Sequence, residues 1–263
     1  MRGEARGVTG ADPRPLGGRV ALVTGGSRGI GAATVRELAR LGARVAVNHR
    51  NSREAATAVL DEVRAAGGEG MVIQGDVRES AAWELMARQV REQLGPVGIL
   101  VGNAAMSFPR GSFREMAWED FHAKLAGELK AAFCGVQALL PQLVEAGDGC
   151  VVLVSSALAR TVQSGFVAHG TAKAALTHFG RYLAGELGPV GIRVQVVSPG
   201  MVQTERTATL PQDFRERLRE AAALRRLALP EDVARVIGGL VRPEAAFLTG
   251  TDTLVDGGTL LGG

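Results

Sequence analysis

The chain has 263 residues, 46% of them hydrophobic and 22% charged, a mixture that fills one sizeable core and lies near the upper size for a single domain. Thirty basic against 27 acidic side chains leave a net charge of only +3, which argues against a dedicated nucleic-acid binder. Two cysteines, Cys134 and Cys150, are too few and too far apart for a disulfide framework or a Cys-x-x-Cys pair, so no metal is expected and the setting reads as reducing and cytoplasmic.

Residues 1–17 are rich in Gly, Arg and Pro and read as a flexible leader ahead of one domain over 18–263. No apolar run reaches the roughly 18 residues needed to span a bilayer, so no membrane segment is expected. From Arg19 onward, short β-branched runs alternate with stretches whose apolar residues recur at helical spacing. A strand over Val20–Val23 leads to a helix over Ile30–Leu41, Arg44–Val47 leads to Arg53–Ala65, and Gly70–Gln74 leads to Ala81–Leu94. The strand Gly98–Val101 precedes a long helix over Phe121–Val144, and Cys150–Val154 precedes Ala172–Leu187. Strands over Ile192–Val197 and Thr253–Val255 close the series. This alternation predicts an α/β fold with a doubly wound, mostly parallel sheet of about seven strands.

Between the first strand and its helix stands Thr24-Gly25-Gly26-Ser27-Arg28-Gly29-Ile30-Gly31. There a dinucleotide's pyrophosphate would meet free backbone N–H groups and the positive end of the helix, so Gly25, Ser27, Arg28, Gly29, Ile30 and Gly31 are candidate cofactor residues. Glycines alone would equally serve a tight turn; the strand before and the helix after give the motif its weight. After the second strand, where an acid would hold the ribose hydroxyls of NAD, the chain reads Val47-Asn48-His49-Arg50-Asn51 and has none. Arg28 and Arg50, with Asn51 beside it, are placed to receive a 2′-phosphate instead, which points to NADP(H).

Asp76-Val77 follows the third strand, Asn103-Ala104 the fourth, Ser198-Pro199-Gly200 with Val202 and Thr204 the sixth, and Val255-Asp256-Gly257-Gly258 the last. Together with the glycine loop these motifs resemble the short-chain dehydrogenase/reductase family from about Arg19 to Gly258, which implies a single-domain Rossmann fold. The resemblance implies that Asp76 and Val77 lie at the adenine. It also sets Asn103 and Ala104 at the turn beside the cofactor, Pro199, Gly200, Val202 and Thr204 at the nicotinamide, and Lys173 on the ribose.

The resemblance further implies a Ser, a Tyr, a Lys four residues after the Tyr, and an Asn on the preceding long helix. Ser156 and Lys173 are present, but the tyrosine position holds His169 and the asparagine position reads Glu128. Tyr182, the one tyrosine, lies nine residues past Lys173, about 13 Å further along a helix, and is too distant to act. His169 reads as the replacement proton donor, because an imidazole titrates near neutral pH; the plainer reading is that it fills the tyrosine's space. Glu128, His169 and Lys173 are expected to form a coupled acid/base group, unless the helix turns Glu128 to solvent. Ser156 is expected to hydrogen-bond a substrate carbonyl, or simply to cap a turn.

Gly170-Thr171-Ala172-Lys173-Ala174-Ala175-Leu176 and Asn103-Ala104-Ala105 are also similar to enoyl-carrier-protein reductases, although the position seven before the lysine, where that branch has its tyrosine, holds Phe166. The expected function is therefore NADPH-dependent reduction of an enoyl or keto group. Met106, Phe108 and Phe166 supply apolar walls and the resemblance implies a substrate lid over Thr204–Leu224, which together suggest an apolar substrate, either a small molecule or a carrier-bound or polyketide-like acyl group. Two alternatives stand beside it: a non-redox cyclase, dehydratase or isomerase using Glu128 and His169, and a cofactor-binding partner subunit without activity. The resemblance also implies a homodimer or homotetramer joined through the two long helices.

Overall fold

The computed structural model describes residues 14–261. Its elements are β1 (Val20–Val23), α1 (Gly29–Arg40), β2 (Arg44–His49), α2 (Arg53–Ala65), β3 (Gly70–Gln74), α3 (Ser80–Leu94), β4 (Val97–Gly102) and α4 (Trp118–Glu145). There follow β5 (Cys150–Val154), α5 (Val167–Leu187), β6 (Arg193–Pro199), α6 (Glu205–Ala208), α7 (Gln212–Ala221), α8 (Pro230–Leu240) and β7 (Asp252–Val255).

All seven strands pair in parallel, in the order β3-β2-β1-β4-β5-β6-β7. Successive residues of β1 divide between two cores: Ala21 and Val23 pack with α1, α2 and α8, while Val20 and Leu22 pack with α3, α4 and α5. A strand covered on both faces has no polar side to show, which is why Val-Ala-Leu-Val carries no alternation. Because β1 pairs with β2 on one side and β4 on the other, the chain order reverses there, and the loops after β1 and β4 flank a crevice at the carboxyl edge. Gly135 lets α3 and α4 pack closely, since a Cβ there would fall 2.6 Å from the Trp83 ring.

Several boundaries differ from the sequence expectation, three of them for a clear physical reason. β2 runs on to His49 because β3 continues alongside it, Asn48 opposite Ile73 and His49 opposite Gln74. α5 begins at Val167, about one turn before Ala172, because Gly170 and Thr171 interrupt the apolar period without breaking the helix. The leader expected over 1–17 also ends sooner: residues 1–13 lie outside the described residues, but Leu16 is fully buried and its N–H donates to the Leu41 carbonyl at 2.9 Å. The physical reason is that Leu16 covers the apolar end of α1. Leu16→Ala is expected to destabilise the fold by about 2–5 kcal/mol, read from the midpoint of chemical denaturation.

Candidate active site

The glycine loop is built by close approach. The Thr24 hydroxyl accepts the N–H groups of Asn103 and Ala104, each at 2.9 Å, so the ends of β1 and β4 are tied together. Asn103 Nδ2 donates to the carbonyls of Thr24 at 2.9 Å and Gly25 at 3.2 Å. Asn103, expected among the cofactor residues, thus also shapes the loop. A Cβ on Gly31 would lie 2.2 Å from the Gly25 carbonyl oxygen, and one on Gly25 3.1 Å from Ala104 Cα. Gly25 and Gly29 both have positive φ, +62° and +52°, which other residues adopt at a cost. Ser27 is half-buried, Ile30 leans on the core, and Arg28 stands extended as the N-cap of α1. This cradle at a helix N-terminus fits a pyrophosphate. Gly31→Ala is expected to weaken NADPH binding at least about tenfold and to cost about 1–3 kcal/mol of stability, read by NADPH fluorescence titration and thermal melting.

Beyond β2, Arg28 Nη2 donates to Ser52 Oγ at 2.8 Å, and Arg50 Nη1 lies 3.8 Å from Asp76 Oδ2. Asn51 is exposed next to them. Asp76 takes three hydrogen bonds from Arg78, two from the guanidinium and one from the backbone N–H, and these hold its carboxyl down at about 2. Val77 faces the core and its carbonyl accepts Trp83 Nε1–H at 2.8 Å, which braces the loop after β3. On the far side of the crevice Pro199 ends β6, and a Cβ on Gly200 would fall 2.9 Å from that of Asp256. Val202 is buried and bridges to Ala228, and Thr204 caps α6. The Thr204 methyl lies 3.3 Å from where Gly29 would carry a Cβ, so this segment reaches over the glycine loop.

The chemistry-bearing side chains meet below that crevice. His169 and Lys173 stand four residues apart at the start of α5, on one face. Lys173 Nζ donates to the Val154 carbonyl and to Glu128 Oε2, both at 2.8 Å, while Ser155 Oγ–H donates to the Lys173 carbonyl at 3.0 Å. Glu128 is buried and faces the site. Its Oε1 also accepts the Met106 N–H at 2.9 Å and the ammonium of Lys124, whose Nζ reaches the Met106 carbonyl at 2.8 Å. Burial alone would raise the Glu128 carboxyl, but the Lys173 and Lys124 ammonium groups outweigh it and hold the group down at about 2.

Of the expected Glu128–His169–Lys173 group, Glu128 and Lys173 are joined, and Lys124 pairs with the same carboxylate; the His169 imidazole lies flat on Phe108, centroids 4.6 Å apart and planes 14° apart. Helical spacing explains the pairing: Lys124 stands four residues before Glu128 on α4, so the two share a face. Two of only three lysines in the chain converge on one carboxylate. That scarcity, read with the i,i+4 spacing, was the signal for Lys124. Ser156 caps a short turn, its Oγ accepting the Leu158 N–H at 3.2 Å, which leaves the hydroxyl hydrogen able to donate. Tyr182 is 63% exposed and stacks edge-on with His178, away from the site.

A nucleotide cradle at the switch point of a parallel sheet, beside a buried lysine and a titratable imidazole, defines a dinucleotide-dependent oxidoreductase site. The family model described as enoyl-(acyl carrier protein) reductase matches residues 25–259. A 2,5-dichloro-2,5-cyclohexadiene-1,4-diol dehydrogenase of Sphingobium indicum is 33% identical over 247 residues, covering 94% of this chain and 98% of that protein. A 3-oxoacyl-(acyl-carrier-protein) reductase of Staphylococcus epidermidis is 32% identical over 240 residues, 90% of this chain and 97% of that one. A short-chain dehydrogenase of Burkholderia cenocepacia, solved with NADP, superposes with a TM-score of 0.85 at 36% identity, covering 93% and 99% of the two chains. The chain belongs to the short-chain dehydrogenase/reductase family and is an oxidoreductase. Among the described residues no helix is long and apolar enough to cross a membrane, and both cysteines are buried and unbridged.

Proposed function

We propose that the chain reduces an enoyl or keto group of an apolar substrate, a small molecule or a carrier-bound or polyketide-like acyl group, with His169 as the proton donor. The observation that carries this reading is the division of labour on α5. Lys173 is clamped by Glu128 and the Val154 carbonyl, while His169, one turn away, keeps a titratable ring at the half-open side of the crevice. NADPH, when bound, supplies the hydride. Lys173 would hold the cofactor's ribose. Ser156 donates its hydroxyl hydrogen to the substrate oxygen, and His169 delivers the proton.

Met106, Phe108 and Phe166 supply apolar walls; the last two rings lie 5.9 Å apart. α7, with none of its residues buried, is the movable part of the lid over Thr204–Leu224. The non-redox alternative needed Glu128 as a free acid or base, and a buried carboxylate shared by two ammonium groups does not support that role. Exposed Phe133 and Tyr182 on α4 and α5 support assembly as a homodimer or homotetramer through these helices. The reaction is tested by mass spectrometry of enoyl and β-keto thioesters incubated with NADPH and NADH. The reading expects a product heavier by two hydrogens, with NADPH preferred; a product of unchanged mass and new retention time would overturn it.

A further inference from the structure

His49 has no part in the scheme above, yet it sits at the edge of the cofactor crevice. It is the last residue of β2, where the peptide N–H of Gly75 holds its carbonyl at 3.0 Å. Strand alternation puts it on the same face as Val47. Val47 Cγ1 lies 2.9 Å from where Gly26 would carry a Cβ, so His49 lies one step further toward the edge on the glycine-loop side. The side chain is 3% exposed, and its Nδ1 is buried with no hydrogen-bond partner among the described residues. A buried imidazole nitrogen left unsatisfied is costly unless a ligand completes it.

The surroundings say which ligand. Arg28 reaches across from the glycine loop to Ser52, Arg50 is the next residue, and Arg53 opens α2. From β3 the neighbour is the uncharged Gln74, and the following acid, Asp76, is held by Arg78 and lies near Arg50. Glu54, in the first turn of α2, is exposed, and β1 ends in the uncharged Val23, followed by Thr24. The cluster is cationic and suits a phosphate monoester.

We propose that His49 forms the floor of the 2′-phosphate site beneath Arg28, Ser52 and Arg50, and takes up a proton when that phosphate binds, so that preference for NADP(H) over NAD(H) rises as pH falls. Burial, and then Arg53, push the empty imidazole below its ordinary range, whereas a dianion beside it favours the charged ring. Between those two ionisations binding consumes a proton, and affinity falls as pH rises through the upper one. The inference rests on the NADP(H) assignment and is independent of which bond is reduced.

The test is calorimetric titration of the full chain with 2′,5′-ADP and with 5′-AMP, which differ only in the 2′-phosphate, in buffers of different ionisation enthalpy. The affinity ratio is expected to fall about tenfold between about pH 6 and about pH 8.5, with proton uptake beyond what the phosphate itself contributes. In His49→Gln the ratio should lose most of that slope while 5′-AMP binds as before. In Arg28→Gln the ratio should drop at every pH with the slope kept. Equal slopes and equal proton uptake in the native chain and His49→Gln would overturn the proposal. No preference for 2′,5′-ADP at any pH would instead overturn the NADP(H) assignment. Should His49→Gln fail to fold, NMR titration of the His49 imidazole in the native chain decides: its ionisation must move upward when 2′,5′-ADP is added, and an unmoved one contradicts the role.

Discussion

Glu128→Gln is expected to be among the most destabilising single substitutions in this chain, because it leaves the Lys124 and Lys173 ammonium groups buried without their shared counter-charge. Removing one partner of a buried ion cluster costs about 3–5 kcal/mol. At about 2–4 °C per kcal/mol for a chain of this size, melting should drop by roughly 10 °C. Lys124→Met should cost less, since it leaves the Glu128–Lys173 pair balanced, although the Met106 carbonyl loses a donor. The pH dependence has a definite sign. The folded Glu128 carboxyl sits at about 2, below its value in the unfolded chain, so its contribution is complete above the ordinary carboxylate range and is lost as pH falls toward about 2. Stability curves of the native chain and Glu128→Gln should therefore lie far apart at neutral pH and converge in acid. Parallel curves at every pH would show that the carboxylate's charge is not what Gln removes.

His169→Phe is expected to lower kcat/KM by about 10²- to 10⁴-fold, the usual contribution of a positioned general acid, while NADPH affinity stays the same. The ring shape and the stack on Phe108 are kept in this variant, so the loss reports the proton and not the packing. Lys173→Met would behave differently, raising the NADPH dissociation constant as well. The two substitutions together separate the donor from the cofactor anchor. A His169→Phe enzyme that turns over at the native rate would return His169 to the space-filling reading.

Much of this molecule is legible in one sequence, for physical reasons that can be named. Strands buried on both faces are continuous apolar runs, so β1 and β5 fall where Val20–Val23 and Cys150–Val154 lie. The glycine loop shows itself because Gly31 and Gly25 have no room for a side chain. What the sequence conceals is any role set by a bond between distant elements. Asn103 shows in the sequence only as a cofactor candidate, and that its amide holds the Thr24 and Gly25 carbonyls appears only in the fold. Lys124 looks like one more helix lysine, and only the fold brings Lys173 from α5 to the other oxygen of Glu128. Leu16 is hidden by its Gly- and Pro-rich neighbours, a composition that reads as tail although one apolar residue within it completes the core.

In the proposed mechanism His169 gives the proton while Glu128 only holds Lys173 in place. Its most direct test is the pH profile of kcat/KM for NADPH-dependent reduction in the native chain, His169→Phe and Glu128→Gln. Native activity should fall through one ionisation on the alkaline side, which should be absent from the residual activity of His169→Phe and persist in whatever Glu128→Gln enzyme folds. An alkaline limb that survives in His169→Phe, or one that vanishes in Glu128→Gln, would contradict it.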